Sequence, residues 1–208
     1  MNGLTITGGR GTGDGAGINT FVDLTLNDCV VSNNIATGNG GGIHNRGILT
    51  INRSSVSNNT AGQGGGIFNF AASPGAGRTT IVNTTVYGNT ANLEAGGGIA
   101  NIGFSGTAAA ELSLTNATVA ANVSPLTGGI HTEDFGAPAV TSIRNTIIAN
   151  SSLPNLSRTG TAATFQSLGY NLTGDAGSGL LIGKGDIVNA DPLLGPSSSG
   201  GNSTGVYT

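Results

Sequence analysis

The chain is poor in most of what a conventional globular core or a charged binding surface is made from. Of its 208 residues, 8% are charged and 4% aromatic, and there is no Trp. Ordinary soluble domains carry about 25% charged residues. A core built on so few rings would be thin, so its bulk must come from aliphatic side chains. Seven Lys and Arg, scattered along a chain of net charge −3, form no cationic track. That excludes nucleic-acid binding through phosphate neutralisation. The single cysteine, Cys29, excludes an internal disulfide framework and reads as a small residue at a turn. No run approaches about 18 apolar residues, which excludes a transmembrane helix. Nor does a charged start followed by an apolar stretch mark a signal peptide. Met1 instead leads straight into Asn2-Gly3-Leu4-Thr5-Ile6, already part of a repeat, so the chain reads as a piece of a longer protein.

Glycine is abundant, with 38 residues, and hydrophobic content is 37%. Regular placement of the apolar residues argues against a disordered linker. A glycine phrase ending in isoleucine recurs as Gly15-Ala16-Gly17-Ile18, Gly40-Gly41-Gly42-Ile43, Gly64-Gly65-Gly66-Ile67, Gly96-Gly97-Gly98-Ile99 and Gly128-Gly129-Ile130. A second phrase, an aliphatic residue three positions before Asn, recurs at Val31/Asn34, Val56/Asn59, Val86/Asn89, Val119/Asn122 and Ile147/Asn150. The asparagines are 25, 30, 33 and 28 residues apart. Fixed-order repeats of this period mean stacked coils rather than one globular core. An apolar–hydroxyl–apolar alternation (Leu24-Thr25-Leu26 in the first coil, Leu49-Thr50-Ile51 in the second), with Val140-Thr141-Ser142 at the equivalent place in the fifth, has strand periodicity. The pattern predicts an all-β parallel β-helix with three short strands per coil and about six to seven coils. Residues 1–150 would be β-helix coils, 151–195 a terminal coil and closing segment, and 196–208 a Ser/Gly-rich flexible tail.

Stacking makes equivalent residues into ladders. Ile18, Ile43, Ile67, Ile99 and Ile130 form one expected buried column, and Val31, Val56, Val86, Val119 and Ile147 another. Asn34, Asn59, Asn89, Asn122 and Asn150 suit an amide ladder, since Asn bonds nearby backbone and identical amides can pair coil to coil. Asn45, Asn69 and Asn101 fit the same role. Spacing between the glycine-phrase Ile and the next strand grows in the third to fifth coils, which predicts enlarged loops at 68–78, 100–111 and 131–139. Insertions at one corner of a solenoid mark its binding face.

The phrases resemble the repeats of bacterial polymorphic outer-membrane-type proteins within the pectin-lyase-like β-helix superfamily, with Val or Ile in place of a Phe. The segments Ser167-Leu168-Gly169-Tyr170-Asn171-Leu172, Asp186 and Ala190-Asp191-Pro192-Leu193-Leu194-Gly195-Pro196 resemble secreted choice-of-anchor β-helix proteins. That resemblance implies a right-handed helix, export, and an extracellular or cell-surface location.

Chemistry-bearing residues are few. His44 and His131 follow the glycine-phrase Ile in coils three steps apart, so about 14 Å separates them at about 4.8 Å per step. This excludes a shared metal ion, whose Zn–N distances are about 2.0–2.1 Å. Both read as surface histidines. The densest polar group is His131-Thr132-Glu133-Asp134, making His131, Glu133 and Asp134 the catalytic candidates of a polysaccharide lyase or hydrolase. No facing acidic cluster supports them, and no metal or cofactor is called for. Arg78 and Glu111 fall at equivalent positions and predict a cross-coil ion pair. A hydroxyl column of Thr25, Thr50, Thr80, Ser113 and Thr141, with Ser55, Thr85, Thr118 and Thr146 on a second strand, raises ice binding as a weaker alternative. The leading expectation is a non-enzymatic stalk, passenger or adhesin-like rod. Its partners would be carbohydrate or a host or cell-surface protein, met through the three enlarged loops.

Overall fold

The structure, a computed structural model, describes residues 1–72, 75, 77–152 and 154–195. The predicted tail at 196–208 lies outside the described residues. The chain is a parallel β-solenoid of about six turns, with one short 3₁₀ turn at Gly177–Gly179. The second coil gives the plan: Val30–Ser32, Ile35–Ala36, Ile43–Asn45 and Ile48–Asn52. Each strand pairs in parallel with its counterparts one coil above and below. The result is a seven-stranded valine sheet, a six-stranded isoleucine sheet, a six-stranded leucine sheet, and a fourth sheet of four two-residue strands. The fourth sheet adds to the three strands per coil expected from sequence. Its strands, such as Thr60–Ala61, are too short to carry an alternation of their own.

Side chains inside the rod stack in register. Ile18, Ile43, Ile67, Ile99 and Ile130 align, followed by Leu156. Ile43, Ile67, Ile99 and Ile130 have no exposed surface, and each such burial contributes about 1.5–3 kcal/mol. Asn34, Asn59, Asn89 and Asn122 run alongside. In this ladder each Nδ2 donates to the next Oδ1 at 2.9–3.0 Å. Each also reaches the carbonyl of the preceding coil's aliphatic strand, Ile6, Val31, Val56 or Val86. A second buried ladder joins Asn45 to Asn69 at 2.9 Å and Asn69 to Asn101 at 2.7 Å. Thr132 and Thr141 close it, with their hydroxyls 2.6 Å apart.

The glycine phrase has two separate requirements. Gly64 adopts φ +59°, and a side chain on Gly66 would stand 2.6 Å from Gly98 O and 2.9 Å from Asn89 Nδ2. The first is a backbone state L-residues avoid. The second is the close approach of a neighbouring coil.

The fifth coil departs from the spacing expected from sequence by one residue. Val119 pairs with Ile148, not Ile147, and Leu112 with Thr141, not Val140. Ile148 and Thr141 are therefore fully buried, whereas Ile147 belongs to the outward column. Asn150 is exposed at φ +54° and continues the left-handed turn positions Asn33, Asn58, Gly88 and Ala121. Its expected ladder place is taken by Ser151, whose Oγ accepts from Asn122 N at 3.2 Å. Asn suits both positions, since it tolerates left-handed backbone and also ladders; a lone Asn can therefore be misread by one step.

The expected loops also take another form. Strands lengthen to Ile67–Ala72, Ile99–Ser105 and Ala110–Thr115, so much of 68–78, 100–111 and 131–139 extends the sheets. Residues 73, 74 and 76 of the first lie outside the described residues. At the far end, Ser167, Asn171 and Asp186 close the stack. Asp186 accepts from Asn171 N at 2.9 Å, Asn171 Nδ2 at 3.0 Å, Gly183 N at 2.7 Å and the Ser167 hydroxyl. Burial alone would raise its carboxyl, but these bonds outweigh that and hold it below the ordinary 3.8.

Candidate functional site

The outer face of the isoleucine sheet carries what the interior excludes. Residues one step after the inward Ile column point outward, as Asn19, His44, Phe68, Ala100, His131 and Ser157. The next outward column contains Phe70, Ile102, Glu133 and Thr159. Between Ala71 and Ala72 the register jumps from Gly103 to Ser105, leaving Phe104 unpaired. A bulge of this kind re-aims a side chain. Here the Phe104 ring meets Phe70 at 5.5 Å and stacks on Phe135 at 6.2 Å.

The rings form a continuous stripe across the coils. Phe21 meets His44 at 6.5 Å, His44 stacks on Phe68 at 5.4 Å, and Phe68 stacks on Phe70 at 5.5 Å. Arg46 places its guanidinium over both Phe21 and Phe70, 5.4 and 5.3 Å from their centroids. Five of the chain's six phenylalanines are thus in one stripe. Phe21, Phe104 and Phe135 remain 60%, 49% and 63% exposed.

Beside the stripe is a cavity of about 340 Å³. Phe70, Phe104 and Phe135 line it together with Asn39, Gln63, Glu94, Phe68, Ile102 and Glu133. Asn39 bridges in parallel to Gln63, and Glu94 N donates to Gly62 O at 3.2 Å on the neighbouring coil. The polar side chains therefore follow the coil stack. A larger hollow of about 490 Å³ at the Asp28–Arg53 corner is less suited to a ligand. Its charged side chains, Asp28 and Arg53, already pair at 2.8 Å.

The histidines expected on the surface are buried, at 4% for His44 and 6% for His131. Stacked neighbours and flanking polar groups cover them although they lie outside the rod. His44 Nδ1 is 3.0 Å from Asn19 Oδ1, with Asp14 3.8 Å from Nε2. Burial lowers its pKa, while the Asp14 charge opposes and Arg46 adds to that shift. His131 lies 2.6 Å from Ser157 Oγ through Nδ1 and 3.3 Å from Glu133 Oε2 through Nε2. Burial lowers its pKa too, outweighing the hydrogen bond and charge of Glu133 and the charge of Glu94. The structure brings His131 and Glu133 together but turns Asp134 away, where its carboxylate accepts from Ala162 N. Among the described residues, no group of three or more His, Cys, Asp or Glu side chains is arranged to hold a metal ion.

The expected Arg78–Glu111 pair sits on paired positions 2.8 Å apart and is largely exposed, a setting worth about 0–1 kcal/mol. The hydroxyl column continues to Ser142 rather than buried Thr141. Its outward neighbours are Asn27, Asn52, Val82, Thr115 and Arg144, so no second Thr column flanks it. No helix among the described residues is long and apolar enough to cross a membrane.

Comparison with protein-family models, curated proteins and solved structures finds no match. The β-solenoid is carried by this chain's own parallel strand pairing and repeats.

Sequence spacing did not point to the aromatic stripe. A usable signal was present: Phe21, Phe68, Phe70, Phe104 and Phe135 all fall between a glycine-phrase Ile and the next leucine-sheet strand. Asn39, Gln63 and Glu94 come from the other side of the glycine phrase, and only the fold brings the two sets together.

Proposed function

We propose that this chain is an extracellular or cell-surface β-helix binding module, a stalk, passenger or adhesin-like rod with one ligand-bearing face. The placement of phenylalanine carries the reading: five of six in one stripe, three substantially exposed, in a chain otherwise poor in rings. Aromatic side chains beside a concavity with a few convergent polar groups have the composition of a ligand site. Affiliation with secreted pectin-lyase-like β-helix proteins of the choice-of-anchor type is supported by the glycine–isoleucine phrases and the Ser167–Leu172 and Asp186 residues. Export and surface display follow from that affiliation. A polysaccharide lyase or hydrolase of the same superfamily is the second reading, favoured by the His131–Glu133 contact.

Arrays of glycans and cell-surface proteins, probed with the wild type and a Phe104→Ala/Phe135→Ala variant, test the first reading. Binding should fall at least about tenfold in the variant without loss of the folded state. Equal binding by both proteins would move the ligand face elsewhere. Release of unsaturated or reducing ends from a bound glycan, abolished by Glu133→Gln, would favour the enzymatic reading instead.

A further inference from the structure

We infer that the groove binds an extended glycan carrying free amino groups, an oligomer of the glucosamine type. The inference rests on the groove being the ligand face and adds the chemistry of its occupant. Among the described residues, both ionisable side chains lining the cavity are acids, Glu94 and Glu133, and neither Lys nor Arg lines it. Arg46 is not among the lining residues, and its guanidinium is taken up over the rings of Phe70, 5.3 Å from the centroid, and Phe21. Glu94 is exposed, and Glu133 keeps 19% of its side chain exposed. His131 sits 3.3 Å from Glu133 Oε2, and burial lowers its pKa, which disfavours a compensating positive charge there. A polyanionic chain entering here loses hydration against like charge. An ammonium group instead finds two carboxylates and the neighbouring rings of Phe104 and Phe135.

The geometry favours a glycan over a polypeptide. Extended peptides commonly bind by adding a strand to an exposed sheet edge. This groove lies on the face of a sheet whose strands already pair with coils on either side. A helix in a groove needs an apolar trough, whereas Asn39, Gln63 and Glu94 make one side polar. Sugar rings meet both demands, with apolar C–H faces toward the phenylalanines and hydroxyl or amino groups toward the amides and carboxylates. Coils rise about 4.8 Å each, so the polar side repeats along the direction of an extended chain.

Titration calorimetry on the 208-residue chain tests this with four probes: glucosamine hexamer, its N-acetylated counterpart, a galacturonate hexamer, and an extended lysine-rich peptide. The glucosamine hexamer should bind at least about tenfold more tightly than each of the others. Its affinity should fall severalfold as salt rises from about 0.05 to about 0.5 M. Glu94→Gln, a substitution at an exposed side chain, should weaken it about tenfold, and Glu94→Gln/Glu133→Gln further. Phe104→Ala/Phe135→Ala should weaken it about tenfold while retaining the wild-type circular dichroism spectrum. Equal affinity for the N-acetylated hexamer, or indifference to Glu94→Gln, overturns the amine assignment but leaves the groove reading intact. Tighter binding of the peptide overturns the glycan assignment, as does failure of all four probes. Glucosamine-hexamer binding undiminished in the phenylalanine variant overturns both the inference and the groove as its site.

Discussion

The two faces of the isoleucine sheet obey different rules although the same strands supply both. Inward, Ile repeats from Ile18 to Ile130, and Asn45, Asn69 and Asn101 form a hydrogen-bonded ladder beside it. Outward, the column reads Asn19, His44, Phe68, Ala100, His131 and Ser157, changing at every coil. Each inward residue must fit the coil above and the coil below, so a change there is felt by at least three coils. Outward residues are covered by neighbouring side chains rather than locked into the core columns, as Phe68 covers His44, and they vary from coil to coil. The constrained face accounts for the rod, and the variable face carries the groove.

The sharpest way to break this contrast is to place a charge inside. Ile67→Asp buries an unpaired carboxylate at the middle of a column with no exposed surface. It should cost more than about 4 kcal/mol and abolish the cooperative melt followed by circular dichroism. Melting like the wild type would show that Ile67 does not sit in a closed stack.

A paired comparison sharpens the register of the fifth coil. Asn89→Ala removes the acceptor for both Asn59 N and Asn59 Nδ2. Asn59 N and one Nδ2 hydrogen lose their buried acceptor, while the other Nδ2 hydrogen keeps Val31 O, and the loss should cost about 3–6 kcal/mol in denaturant unfolding. Asn150→Ala affects only an exposed turn residue at φ +54° and should cost no more than about 1 kcal/mol. Comparable losses at the two positions would return Asn150 to the buried ladder.

The smallest expected effect concerns the covered histidines. Unfolded, both imidazoles titrate near the ordinary 6.5; folded, burial holds them below it. As pH falls through 6.5 the unfolded chain binds more protons than the native chain. The histidine contribution to stability is thus full above that pH and declines through the window beneath it. The melting temperature should fall as pH drops from about 7.5 to about 5.5, and His44→Asn/His131→Asn should flatten that slope. An unchanged slope in the double variant would assign it to other groups.

How much of this was legible depended on whether a residue's role repeats. The Ile column and the Asn34–Asn122 ladder could be read because one physical demand recurs at every coil. The one-residue shift at Ile147 and Asn150 was hidden because two aliphatics stand side by side and Asn fits both turn and ladder. The histidines look like surface residues in the sequence because their cover comes from stacked neighbours and side chains on other segments, including Phe68 over His44 and Ser157 beside His131. His131 and Glu133 could be paired from their two-residue spacing on a strand. Asp134, adjacent in sequence, points elsewhere because successive strand residues face opposite ways.

The sequence alone determined that this chain stacks: its repeated glycines, aliphatics and asparagines satisfy identical contacts at each coil, and such periodicity is visible along one dimension. Only the tertiary structure decided what the outer face is. The phenylalanines, Arg46, Glu94 and Glu133 become one stripe and one groove through strand lengthening, a bulge at Phe104 and coil-to-coil register. Each brings together residues tens of positions apart that no local pattern relates.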